Sequence, residues 1–166
     1  ESNVVITASQ VAKNTAAIAV TKGSVTITGN DATGTDVDLD ATISASNDVT
    51  ITGAGKVDAE NTITSSKNNV SITGDQVDVK AITATVGSVT LTAIDPAMAN
   101  GSKIEGDITA GTNVTIADGN WDIDDDITAT GIFAVSGDAM LDLAADEKIK
   151  AGSVQLTTAN DVTING

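Results

Sequence analysis

The sequence predicts an all-β chain folded as a right-handed parallel β-solenoid, with three short strands in each coil of about 20 residues. Three observations carry that expectation. A valine-anchored segment recurs along the chain, each copy alternates apolar and polar residues, and a second alternating segment follows in the same order each time.

The recurring segment is clearest as Gly23-Ser24-Val25-Thr26-Ile27-Thr28-Gly29 and Asn47-Asp48-Val49-Thr50-Ile51-Thr52-Gly53. Further copies run Asn69–Gly74, Ser88–Thr92 and Asn113–Ala117, with weaker ones at Phe133–Gly137 and Ser153–Thr157. Asn3–Thr7 is the first. With Val4, Val25, Val49, Val70, Val89, Val114, Phe133 and Val154 as anchors, the steps are 21, 24, 21, 19, 25, 19 and 21 residues. Alternation at period two marks a strand with one buried face. Val25 and Ile27 point one way, Thr26 and Thr28 the other. The β-branched content suits strands, and Gly29, Gly53 and Gly74 follow as turn punctuation.

The second segment begins as Val37-Asp38-Leu39-Asp40-Ala41-Thr42-Ile43-Ser44-Ala45. It returns as Val57–Glu60 with Ile63-Thr64, and as Val77–Lys80 with Ile82-Thr83. Ile104-Glu105 with Ile108-Thr109, Trp121–Asp124 with Ile127-Thr128, and Leu141–Leu143 with Ile149-Lys150 complete the series. One such unit cannot bury its own aliphatic side chains; stacking equivalent units makes a continuous core. A β-sandwich also places strands at regular intervals. The recurrence of one pattern in one order favours the solenoid.

Along the chain, residues 1–22 form the least regular repeat, with Val11, Ile18 and Val20 expected to carry its later strands. Residues 23–95 are the most regular. Ile94–Gly101 reads as a longer loop containing the one Pro. Asp138–Lys148 reads as a loosened repeat in which Ala144–Lys148 can form a turn of helix. The last repeat has two candidate registers, one anchored at Val154 and one at Val162. Neither end shows a polar cap of the kind repeat arrays use. The expectation is therefore one solenoid domain over residues 1–166, cut from a longer fibre.

Composition narrows the function. The 166 residues carry a net charge of -15, and the eight basic residues are all Lys. That balance argues against nucleic acid and against an anionic membrane surface. No apolar run reaches the 18 or more residues of a membrane helix, and Glu1 opens directly in repeat-like sequence with no signal-peptide pattern. The chain has no His and no Cys, which removes the usual nucleophile–base pairs and zinc ligands. Nucleotide-binding glycine loops are absent. The sequence assigns no catalytic residue, no metal ligand and no specific binding residue, and the chain reads as a non-enzyme.

Two outward ladders are expected. Asp38, Asp58, Asp78, Glu105, Asp122 and Asp142 fall at one position of successive second strands; Asp40, Glu60 and Asp124 repeat two residues later, with Lys80 interrupting. The plain reading is a solvated face that keeps the chain soluble. The sharper one is that Ca²⁺, which prefers oxygen ligands, bridges the carboxylates. Asp122–Asp126 begins like a calcium loop, but Ile127 stands where the EF-hand needs Gly and Phe133 where it needs Glu. The other ladder is made of Thr26 and Thr28, Thr50 and Thr52, Ser71 and Thr73, and Thr90 and Thr92, decaying to Ala117, Ser136 and Gln155. Trp121 and Phe133 are expected inside the core.

The repeats Val49–Gly53, Val57–Glu60 and Ile63-Thr64-Ser65 resemble those of filamentous-haemagglutinin-type adhesins, the β-helical exoproteins exported across bacterial outer membranes by two-partner secretion. The resemblance covers nearly the whole chain. It implies a right-handed β-helix, a secreted or cell-surface location, and a structural stalk that gives an adhesin reach and rigidity. It also implies contact with a host or neighbouring cell through the parent adhesin. The secretion-domain motif Asn-Pro-Asn-Leu does not occur, which places the segment within the stalk. Stacked Thr-x-Thr pairs resemble ice-binding solenoids, the alternative function. A carbohydrate-active β-helix is the third.

Overall fold

A computed structural model describes residues 2–95, 101–158 and 162–164. All regular structure among them is β, arranged as seven coils and part of an eighth. Coil 1 holds β1 (Val4–Thr7), β2 (Ala12–Asn14) and β3 (Ile18–Val20). Coil 2 holds β4 (Val25–Thr28), β5 (Thr35–Leu39) and β6 (Ile43–Ala45), and coil 3 holds β7 (Val49–Thr52), β8 (Lys56–Ala59) and β9 (Ile63–Ser65). Coil 4 has β10 (Val70–Gly74), β11 (Gln76–Val79) and β12 (Ile82–Ala84); coil 5 has β13 (Val89–Ala93), β14 (Ser102–Ile104) and β15 (Ile108–Ala110). Coil 6 has β16 (Val114–Ala117), β17 (Asn120–Ile123) and the start of β18 (Ile127–Gly137). The rest of β18, β19 (Met140–Leu143) and the start of β20 (Ile149–Thr158) make coil 7; the end of β20 and β21 (Val162–Ile164) begin coil 8.

Every pairing among the described residues is parallel and joins a strand to its counterpart one coil away. The rod therefore has three faces, made of the first, second and third strands. The first and third merge into one 13-stranded sheet because β18 and β20 run through the corner between them; the second is a separate 8-stranded sheet.

The interior is built from rows of equivalent side chains. On the first face Val25, Val49, Val70, Val89 and Val114 lie over one another, next to a row of Ile27, Ile51, Ile72, Leu91 and Ile116. All ten are buried to within 1 % of full. The third face pairs a large row, Ile43, Ile63, Ile82, Ile108 and Ile127, with a small one, Ala45, Ser65, Ala84, Ala110 and Ala129. Trp121 and Phe133 are fully buried, as expected. Trp121 lies over Ser102, whose small side chain makes room for the indole in a row otherwise held by Ala12, Val37, Val57, Val77, Leu141 and Val162. Its Nε1 donates to the Asp118 carbonyl at 2.6 Å, so no polar atom of the ring is orphaned.

Two further devices hold the corners. In several coils the polar residue before the first strand caps the coil above it. Asn3 accepts from the Ser24 N–H, Asp48 from Asn69, Asn69 from Ser88, and Asn113 from Ile132. The second device is Asp36. A register shift between Thr35 and Val37 turns two consecutive side chains inward, and the Asp36 carboxylate becomes completely buried. It accepts from the Asp31 N–H at 2.9 Å and the Ala54 N–H at 2.5 Å, satisfying backbone groups that the corner leaves without ladder partners. Gly29 and Gly53 frame it. A Cβ at Gly29 would collide with the Asp36 carboxylate, and one at Gly53 would stand 2.9 Å from Val57 Cγ2. These glycines are required for close approach, which is more specific than turn punctuation.

Several expectations change. Val11 is 46 % exposed and lies outside β2; Ala12 takes the inward position opposite Val37, because the first coil enters its second strand one residue later. Ala144–Lys148 forms no helix. The Glu147 N–H reaches the Ala144 carbonyl at 3.4 Å, a tight turn that Asp146 closes at φ 77°. Residues 96–100 of the expected loop lie outside the described residues; Ile94 before them is exposed and Gly101 after them is buried at φ 62°. The last repeat takes the Val154 register. Val154 pairs with Phe133 on the first face, and Val162 pairs with Leu141 on the second.

Substituting one rung of an interior row should therefore cost far more than substituting its outward neighbour. Ile72→Ala is expected to lower unfolding free energy by about 2–5 kcal/mol, whereas Thr73→Ala should change it by less than about 0.5 kcal/mol. Chemical denaturation of the two variants measures both, and equal costs would contradict the inside–outside assignment.

Candidate functional site

The second face carries the charged ladder, in a register the sequence reading only partly captures. Its central outward row is Lys13, Asp38, Asp58, Asp78, Lys103, Asp122 and Asp142. Lys103, not Glu105, occupies the fifth-coil rung. Ile104 stacks on Val79, not Val77, and the inward place opposite Trp121 is taken by Ser102. A polar residue in an apolar row hid the register. Glu105 follows Ile104 and so belongs with Asp40, Glu60, Lys80 and Asp124, which follow Leu39, Ala59, Val79 and Ile123.

Lysines break up the expected run of like charges. Lys56 Nζ lies 2.8 Å from Asp58 and 2.7 Å from Asp78, bridging two rungs from the neighbouring row. Gln76 Nε2 also donates to Asp78, at 3.2 Å. Lys13 pairs with Asp38 and, at 2.8 Å, with Asp40. Burial pulls the Lys56 ammonium pKa down, but hydrogen bonds to Asp58 and Asp78 outweigh it and leave the group above its ordinary value. Lys13 is likewise held above its ordinary value by its bonds to Asp38 and Asp40. The same bond from Lys13, with a second from Asp38, lowers Asp40. The partly exposed pairs of Lys56 are worth about 1 kcal/mol or less each. The main effect of each lysine is to offset one of the two carboxylates it bridges, which reduces the negative charge across coils 1 to 4.

The compensation thins beyond coil 5. Asp122, Asp124 and Asp142 line a shallow depression of about 250 Å³ with Ala144. Burial raises the Asp122 pKa and the charge of Asp124 adds to it; Lys103 opposes, while Asp142 and Asp78 raise it further. Among the described residues no group of three or more acidic side chains is placed to hold a metal ion. A second depression of about 230 Å³ is lined by Lys56, Asp58, Glu60, Asp78, Lys80 and Glu105, so carboxylates and ammonium groups face each other within it. Neither hollow brings a nucleophile to a base, and a chain without His or Cys has few means to do so.

The first face differs. Its outward rows run Thr26, Thr50, Ser71, Thr90, Thr115 and Thr28, Thr52, Thr73, Thr92, Ala117 in the same coils. They open with Val5 and Thr7, and close with Ala134, Gln155 and Ser136, Thr157. The expected threonine ladder is present in register, and none of its sixteen rungs is charged. Sequence reasoning missed a third hydroxyl row, Ser44, Thr64, Thr83, Thr109 and Thr128, on the third face. The repeated Ile-Thr pairs were its signal. It also missed Asp36, which no periodicity marks, and gave the capping residues before the first strands no role.

Compared with known proteins, the chain matches no family model, no curated protein and no solved structure. No helix among the described residues is long and apolar enough to cross a membrane.

The raised pKa of Asp122 sets a pH-dependent test. A carboxyl that holds its proton more tightly when folded opposes folding once ionised. The penalty is complete above the folded-state pKa and disappears below the ordinary value of about 3.9. Asp122→Asn should raise the melting temperature at neutral pH, with the gain shrinking as the pH falls towards that value. A gain that persists unchanged in acid, or a loss at neutral pH, would contradict the arrangement.

Proposed function

We propose that this chain is a rigid segment of a secreted or surface-attached bacterial fibre, similar in kind to the stalks of filamentous-haemagglutinin-type adhesins. Its task is to hold other parts of the parent molecule away from the cell, and it takes no part in catalysis. Contact with a host or neighbouring cell belongs to the parent adhesin. One observation supports the reading above the rest: a parallel register runs from β1 to β21 with the same inward rows throughout. In such a rod, length grows in proportion to coil number, at about 4.8 Å per coil. Rigidity comes from the same register. A bend must break the backbone hydrogen bonds along one face while compressing a close-packed interior. The repeat motifs Val49–Gly53, Val57–Glu60 and Ile63–Ser65 add the resemblance to the adhesin stalks.

An antibody raised against the purified chain, applied to intact cells that make it, provides the test. Labelling of the cell exterior or recovery from the medium, with loss of the signal after external protease, is the expected outcome. A protein found only after the cells are lysed would defeat the proposal.

A further inference from the structure

The distribution of charge between the faces needs an explanation that strand propensity does not supply. Threonine suits any exposed strand position, yet the second face is equally exposed and equally β, and its central row consists of Lys and Asp. The first face of the same rod, in a chain of net charge -15, carries no charged rung at all. Carboxylates such as Asp48 and Asp118 stand at its margins, where they cap backbone N–H groups of the next coil. The flat surface between them is hydroxyl and methyl.

We propose that this neutral face is a contact surface for a second copy of the same rod, packed side by side. Charge and periodicity both select that occupant. Two chains of this charge repel wherever carboxylates approach one another; the first face offers two uncharged outward rows on which they can meet, whereas the third offers one row, which ends at Lys150. Rows of Thr hydroxyls and methyls recur once per coil, and a second copy presents the same repeat by construction, so ridges of one sheet mesh with grooves of the other at every rung. Facing hydroxyls can donate and accept across the contact. The area limits its strength. Eight strands at about 4.8 Å spacing and about 13 Å long give about 450 Å² per partner, roughly half the 800 Å² or so of a stable specific complex. At this length the association is weak and reversible, and it strengthens in proportion to the number of coils. Side-by-side packing of this kind does not require the rod to belong to a surface fibre.

Sedimentation equilibrium over a range of concentrations, at low and at high salt, tests it. The expected result is a mass that rises with concentration, and rises more at high salt, because salt screens the marginal carboxylates. Thr52→Lys with Thr73→Lys makes the chain less negative, yet should weaken association by more than about tenfold by placing unpaired charge in the contact. Thr109→Lys on the third face should leave association at the wild-type level, and circular dichroism verifies that both variants remain folded. A chain that stays monomeric at every concentration and salt overturns the proposal. So does association that weakens with salt or survives the first-face variant. A monomeric chain that produces thermal hysteresis overturns it as well, assigning the threonine rows to ice.

Discussion

Backbone hydrogen bonds in this chain run along the rod, from each coil to the next. The Val25 N–H reaches the Asp48 carbonyl at 2.9 Å, Val49 reaches Asn69 at 3.0 Å, and Val70 reaches Ser88 at 2.9 Å. That one constraint, a parallel ladder in which every residue sits over its own equivalent, dictates most of the structure. A side chain's closest neighbours are the residues one coil below and one coil above it, about 4.8 Å away. Aliphatic rows result inside and polar rows outside. Any departure in size or charge must be answered by an adjacent rung, as Ser102 answers Trp121 and Lys56 answers Asp58 and Asp78. The corners obey the same rule, with Asn and Asp side chains capping the coil above.

Stacking also explains why the faces can diverge in chemistry while sharing a fold. The interior is mainly aliphatic volume, supplied from all three sides, with a few polar and aromatic rungs such as Ser65, Ser102, Trp121 and Phe133. The exterior is free to differ from face to face, because outward residues on one face do not touch those of another. Charge is concentrated on the second face, where lysines partly offset it over the first coils and leave it exposed near Asp122 and Asp142. Hydroxyl groups occupy the first and third. A sequence of this kind can change its surface without altering the coil geometry.

Much of this was legible in the sequence for a physical reason. A solenoid repeats in space what it repeats in sequence, so the spacing of Val25, Val49, Val70 and Val89 translates directly into a column. The legible part ends where a rung breaks pattern. Ser102 stands in an apolar row, and this displaced the reading of Ile104 and put Glu105 on the wrong rung. The segment around Val162 resembles a first strand more closely than Val154 does, yet Val154 wins because β20 continues directly from the third face onto the first. Asp36 was hidden for a different reason. Its inward turn depends on a local bulge and on two backbone N–H groups, one of them eighteen residues away, which no alternation pattern records. The contrast between the charged and the neutral faces was written in the residues, but it acquired meaning only once the rows were placed on separate sides of one rod.

The central claim is that coils are equivalent, interchangeable units held together by stacking. Excising one whole coil tests it most directly. Deleting residues 70–88 joins Asn69 to Val89, so that coil 3 meets coil 5 in the register that coil 4 provided. The account predicts a shorter rod with an unchanged β-type circular dichroism spectrum and a cooperative melt, whereas removing only residues 70–79, which shifts every face out of line, unfolds the chain. Collapse of the whole-coil deletion to the same extent as the partial one would contradict it.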